Sequence, residues 1–205
     1  SYANVEYDRM HSLLHLSSKF SYLLMLLMSV PIFIEAPIIL KWWLGTIPDN
    51  TIVYLRIILL YSVFATLANP LWIAVLATGK LKKYQLWDNM VQALVLPISY
   101  IAFKFFHAAS YWVFIILLVA EIVEIFVRVW VVLPLINHKY LDYIREVVIP
   151  LVLVSFIAPL VPLALSNYLC TNEVVEFFMI SVISVLSSLL FIWLLGMKRS
   201  ERVYF

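Results

Sequence analysis

Three sets of polar residues, set in a chain that is otherwise strongly apolar, have the types and spacing to do chemistry. Gln85, Asp88, Asn89, Gln92 and Ser99 fall within an arc of about 100° when a helix is turned at about 100° per residue, so they form one stripe of hydrogen-bonding groups. That stripe reads either as a water-exposed helix end or, because it continues to Gln92, as the wall of a wet cavity. Glu121, Glu124 and Arg128 are spaced i, i+3 and i+7 and share an arc of about 60°. Glu124 and Arg128 stand one turn apart, the spacing of an internal ion pair that ties helices together. Glu121 has no cation at i+4 or i−4 and so needs a partner on another helix, a proton or a ligand. Ser62, Thr66 and Asn69 make a third polar face.

Other patterns lead to no reaction. Ala77-Thr78-Gly79-Lys80 ends like a phosphate-binding loop, but that loop needs a glycine five residues before its Gly-Lys and a Ser or Thr after the lysine; here Leu81 follows. His11 and His15 share a helix face without a carboxylate in zinc-protease spacing, which suits a short interfacial helix over residues 10–16 or the tail of a longer one. No nucleophile-elbow glycine pattern accompanies a Ser or His. The expectation is a protein that is not an enzyme and needs no cofactor or catalytic metal. Glu35 and Arg56 fall near span ends, where snorkelling to the interface accounts for both.

The elements that carry these residues follow from composition. Of 205 residues, 65% are hydrophobic and 13% charged, against roughly 45 to 50% apolar and 25% charged in soluble domains. So few charges cannot clothe a water-soluble surface, which excludes a soluble enzyme, a disordered chain and, with a net charge of +2, a nucleic-acid binder. The single cysteine, Cys170, excludes a disulfide framework. Crossing a membrane takes about 20 apolar residues, and six stretches qualify: 20–40, 51–77, 86–106, 110–133, 147–169 and 174–195. The expected fold class is an all-α integral membrane protein of six transmembrane helices, with an interfacial, cytoplasmic segment over 1–19, a membrane domain over 20–195 and a cytoplasmic tail over 196–205.

Orientation comes from Lys and Arg, which stay on the cytoplasmic side. Arg9, Lys19, Lys80, Lys82, Lys83, Lys139, Arg145, Lys198, Arg199 and Arg202 fall on one side, and only Lys41 and Lys104 on the other, which places both termini in the cytoplasm. Gly45, Gly79 and Gly196 each follow a span, where a left-handed helix cap uses glycine, leaving Ser, Ala and Thr for close helix contacts. Ser181, Ser184 and Ser188 make such a face, and the last two spans, free of ionisable side chains in their interiors, read as support. Pro31, Pro37, Pro70, Pro97, Pro159 and Pro162 lie within spans and point to kinked helices.

From Ser1 to about Tyr143 the order of short motifs resembles the Wzx-type polysaccharide flippases, the lipid-linked oligosaccharide branch of the MATE-like exporter superfamily. The motifs are Lys19-Phe20-Ser21-Tyr22, Pro31-Ile32-Phe33, Trp43-Leu44-Gly45 with Pro48-Asp49, Asn69-Pro70, Ala77-Thr78-Gly79-Lys80 with Lys83-Tyr84-Gln85, and Pro97-Ile98-Ser99-Tyr100. The resemblance implies two pseudo-symmetric six-helix lobes, in some members with two further helices, that work by alternating access around a central cavity. This chain would match part of the second lobe plus the extra pair, with an N-terminal lobe of the same transporter as its partner. The implied cargo is an undecaprenyl diphosphate-linked oligosaccharide, an O-antigen or capsule repeat unit, and the implied location a bacterial inner membrane.

Under that resemblance Arg128 attracts the diphosphate, the stripe from Gln85 to Gln92 hydrogen-bonds sugars, and Glu121 and Glu124 tune charge or couple to cations. The alternatives are a non-transporting structural or interaction protein, whose polar faces are helix contacts, and a small-solute or cation antiporter of the same superfamily.

Overall fold

The computed structural model describes residues 2–166 and 172–197. Ser1, Cys170, the end of the fifth expected span and the tail with Lys198, Arg199 and Arg202 lie outside the described residues. Helices make up the fold: α1 (Tyr2–Ile34), α2 (Ala36–Leu44), α3 (Thr51–Ala65), α4 (Ala68–Thr78), α5 (Leu81–Phe106), α6 (Trp112–Leu135), α7 (Tyr140–Tyr143), α8 (Ile149–Ile157), α9 (Leu160–Ser166) and α10 (Glu173–Phe191). π-Helical turns at Ile144–Val148 and Ile192–Gly196 complete the path.

Five helical stretches are long and apolar enough to cross a membrane: Arg9–Ile34, Thr51–Thr78, Leu81–Phe106, Tyr140–Leu165 and Glu173–Gly196. The shortest has 24 residues, which at about 1.5 Å per residue exceeds a hydrocarbon core of roughly 30 Å. Large apolar side chains such as Leu96, Phe126, Phe156 and Leu186 face outward, as they do in a protein whose solvent is lipid. The chain is an all-α, multi-pass membrane protein. The stretch expected as the fourth span forms α6, which has the length; its composition alone does not qualify it, because Glu121, Glu124 and Arg128 sit in its middle.

Residues 10–16, expected as a short interfacial helix or the tail of a longer one, belong to one long helix that runs from Tyr2 to Ile34. Helix α1 packs against α3, α4, α8 and α10, while α6 packs against α3, α4 and α5. Helix α5 rests on α6 and touches α4. Most of its remaining surface is exposed.

Three prolines each leave a carbonyl without its backbone donor, and a side chain from a neighbouring element supplies one. Pro37 has no N–H for the Phe33 carbonyl four residues earlier, and Arg56 Nε donates to that oxygen at 3.1 Å. Arg56 also lies over the Phe33 ring at 5.3 Å. Pro134 frees the Trp130 carbonyl, which accepts from the Tyr140 hydroxyl at 3.1 Å. Pro162 frees the Ala158 carbonyl, which accepts from Ser187 Oγ at 2.9 Å. Arg56 is therefore engaged with the protein backbone through Nε. Glu35 is 4% exposed and so is packed within the protein.

Ser184 and Ser188 are fully buried, which fits their expected packing role. Gly79 adopts the left-handed conformation expected of a helix cap, with φ +69°. Gly196 does not: a Cβ there would stand 3.1 Å from Leu23 Cδ1, so this glycine permits close contact between α1 and the last turn. Glycine thus serves one tight contact that composition reasoning left to Ser, Ala and Thr.

Candidate functional site

The polar groups converge where α4, α5 and α6 meet. One turn separates Glu124 from Arg128 on α6, and two turns separate Glu121 from Arg128, so all three side chains reach a common point. From α5, Asp88 reaches the same point. Arg128 donates from Nε to Asp88 Oδ1 at 2.7 Å and from Nη1 to Glu121 Oε1 at 2.6 Å, and its Nη2 bonds Glu124 Oε2. Each nitrogen of the guanidinium thus faces a different carboxylate, and the fork geometry of arginine makes this possible. Glu121 was expected to need a partner on another helix, a proton or a ligand; its partner is instead Arg128, two turns further along the same helix.

Burial decides what this cluster can do. The side chains of Glu124, Glu121 and Arg128 are 0%, 3% and 8% exposed, whereas Asp88 is 25% exposed. Three carboxylates around one guanidinium make a locally negative site. Glu124 Oε1 is buried without a hydrogen-bond partner, although Gln92 lies within reach of that carboxylate. Arg128 holds the other oxygen of this carboxylate, which leaves Oε1 able to accept a further donor or a cation.

Beside the cluster opens a cleft of about 270 Å³ lined by Ala68, Asn69, Trp72, Tyr84, Gln85, Asp88, Asn89 and Arg128. Its floor is ionic, through Asp88 and Arg128. Its walls carry the side-chain amides of Asn69, Gln85 and Asn89. Trp72 and Tyr84, with ring centroids 5.3 Å apart, supply an aromatic surface. Amides and a carboxylate beside an aromatic face can hydrogen-bond a polyhydroxylated ligand and stack against its apolar side.

The sequence-derived candidates divide clearly. Gln85, Asp88, Asn89, Asn69 and Arg128 share the cleft, with Glu121 and Glu124 behind it. Gln92 is exposed on α5 near Glu124. Ser62 and Thr66 are outside the cleft lining: Ser62 Oγ donates to the Ile58 carbonyl at 2.8 Å and Thr66 Oγ1 to the Val63 carbonyl at 2.6 Å. Hydroxyls bonded back to their own helix are poor ligands. Ser99 is buried and its hydroxyl has no hydrogen-bond partner.

Three aromatic residues belong to the site and were missed. Trp72 lies three residues after Asn69 and shares its face of α4; Tyr84 directly precedes Gln85 and its hydroxyl lies beside Arg128. Tyr61 of α3 brings its hydroxyl next to Glu121. The helical spacing of Trp72 and Tyr84 to polar neighbours was the available signal, but in an apolar chain aromatic residues blend into the lipid-facing surface.

No group of His, Cys, Asp and Glu able to hold a metal ion occurs among the described residues. No protein-family model, curated protein or solved structure matches the chain.

Proposed function

We propose that this chain is part of a membrane exporter that moves a lipid-linked oligosaccharide, an O-antigen or capsule repeat unit, from the cytoplasmic to the outer leaflet by alternating access. Its six spans would include α6, whose ionisable groups point into the bundle, and both termini would be cytoplasmic in a bacterial inner membrane. An N-terminal lobe of the same transporter would be its partner. The observation that carries this reading is the polar cleft between α4 and α5, with amides, a carboxylate and Trp72 along its walls. Such a lining suits the sugar portion of the cargo, and no bond-making chemistry is assigned to it.

Arg128 has a different part in this reading from the one its charge suggests. Its three nitrogens already meet Asp88, Glu121 and Glu124, so a diphosphate would have to displace a carboxylate and enter a negative site. Arg128 therefore positions Asp88 at the cleft, and Glu124 is the group suited to carry a proton or cation during transport. In proteoliposomes holding the complete transporter, a fluorescent undecaprenyl diphosphate-linked oligosaccharide should become accessible at the opposite leaflet. Trp72→Ala and Gln85→Ala should slow this severalfold with unchanged protein abundance. Wild-type rates in both variants would remove the cleft from the route.

A second reading, a non-transporting structural protein, is favoured by the density of contacts around Arg128, which would also serve to lock α5 onto α6. It expects those two cleft variants to leave every activity unchanged and only the charge-cluster variants to matter.

A further inference from the structure

Away from the cleft, three histidines far apart in sequence meet between α1 and the turn that follows α6. The His138 ring stands 4.4 Å from that of His11 and 4.8 Å from that of His15, centroid to centroid. Each ring also makes a polar contact that ties the two segments or shapes the turn. His11 Nε2 bonds the Ile136 carbonyl at 2.8 Å, His138 Nδ1 bonds the Lys139 carbonyl at 2.8 Å, and His15 Nδ1 meets Glu146 Oε2 at 2.9 Å. Carbonyl acceptors require these nitrogens of His11 and His138 to carry their protons, which neutral imidazoles satisfy.

The surroundings limit how much charge this junction can hold. From α1, Lys19 is 2% exposed and acts electrostatically on His15. From α7, Tyr143 packs its ring 5.8 Å from His15 and 6.4 Å from His138. From the π-turn, Glu146 faces His15 and offsets a positive charge there. His15 Nε2 is buried with no hydrogen-bond partner, so a proton added to it finds no acceptor in this arrangement. A second imidazolium, on His138 or His11, would lie beside the first. Like charges this close inside a protein repel strongly.

We propose that His11, His15 and His138 form a pH-sensitive clasp that holds α1 to the turn after α6 while the rings are largely neutral and releases it when more than one is protonated. Histidine is the side chain whose charge changes near pH 6.5. The clasp closes the connection directly beyond α6, the helix that carries Arg128, so release frees that end of α6 from α1.

Spin labels at Leu13→Cys and Leu141→Cys, in a Cys170→Ser background within lipid nanodiscs, report the separation of the two segments. Both labelled positions are exposed. Between pH 8 and pH 5 the distance distribution should reversibly gain a longer component. His11→Gln keeps an amide donor for the Ile136 carbonyl and removes one titrating ring, so the midpoint should fall; His138→Gln should lower it further or abolish the transition. An unchanged distribution across this pH range in the native-histidine protein overturns the proposal. So does a transition whose midpoint in both variants equals that of the native-histidine protein.

Discussion

Arg128 and Asp88, forty residues apart in the chain, join the consecutive helices α5 and α6, with Nε of the guanidinium 2.7 Å from Oδ1 of the carboxylate. Asp88 is the partly exposed member of the cluster and Arg128 the buried one. The bond therefore connects the open cleft to the sealed charges behind it. Anything that changes the charge inside, a proton on Glu124 included, alters how firmly Asp88 is held.

That relationship fixes the order of charge substitutions. Arg128→Ala leaves Glu121 and Glu124 buried without their cation, which costs about 3 to 5 kcal/mol in fully buried cases. Abundance in the membrane should fall accordingly. The paired change Glu124→Gln with Arg128→Gln removes one charge of each sign and should recover part of it. Asp88→Asn, at a position open to water, should cost less than Arg128→Ala. Immunoblotting of membrane fractions with a denaturation midpoint for each variant checks this order, and equal losses for Asp88→Asn and Arg128→Ala would contradict it.

Ser187 should matter only because of Pro162. Where Pro162 leaves the Ala158 carbonyl without its helical donor, Ser187 Oγ supplies one. Ser187→Ala should destabilise by about 1 kcal/mol, the usual scale of such hydrogen bonds. In a Pro162→Ala background, where the backbone N–H returns, the same change should cost close to nothing. A double-mutant cycle by reversible denaturation in mixed micelles measures the coupling, and additive effects would show that the hydroxyl has another role.

Helical periodicity makes much of the site legible in the sequence. Residues on one helix need only a fixed turn angle to be placed on a common face, so the Glu121, Glu124 and Arg128 trio and the Gln85 to Gln92 stripe were legible. The pairing of Asp88 with Arg128 was not, because it depends on how α5 is rotated against α6. The same reason hid the convergence of His138 on His11 and His15. Gly196 was misread as a cap because sequence shows where a helix ends, not that Leu23 approaches there.

Topology is a separate expectation from the distribution of Lys and Arg. In whole cells, a cysteine at Ile47 should react with a membrane-impermeant maleimide. One at Leu81 should react only after the membrane is permeabilised. The reverse pattern would invert the bundle and make the α5 end with Lys80, Lys82 and Lys83 external.

Binding selectivity tests the assignment of the cleft to a sugar most directly. In lipid nanodiscs, native mass spectrometry compares retention by this protein of undecaprenyl diphosphate carrying an oligosaccharide with retention of the same lipid lacking sugar. With Asn69, Trp72, Gln85 and Asn89 facing the glycan, the sugar-bearing lipid should be held at least about tenfold more tightly, equivalent to about 1.4 kcal/mol. Trp72→Ala should erase most of that difference while leaving sugar-free binding unchanged. Equal retention of the two lipids by the folded native protein, or a preference untouched by Trp72→Ala, would contradict a sugar-binding cleft between α4 and α5.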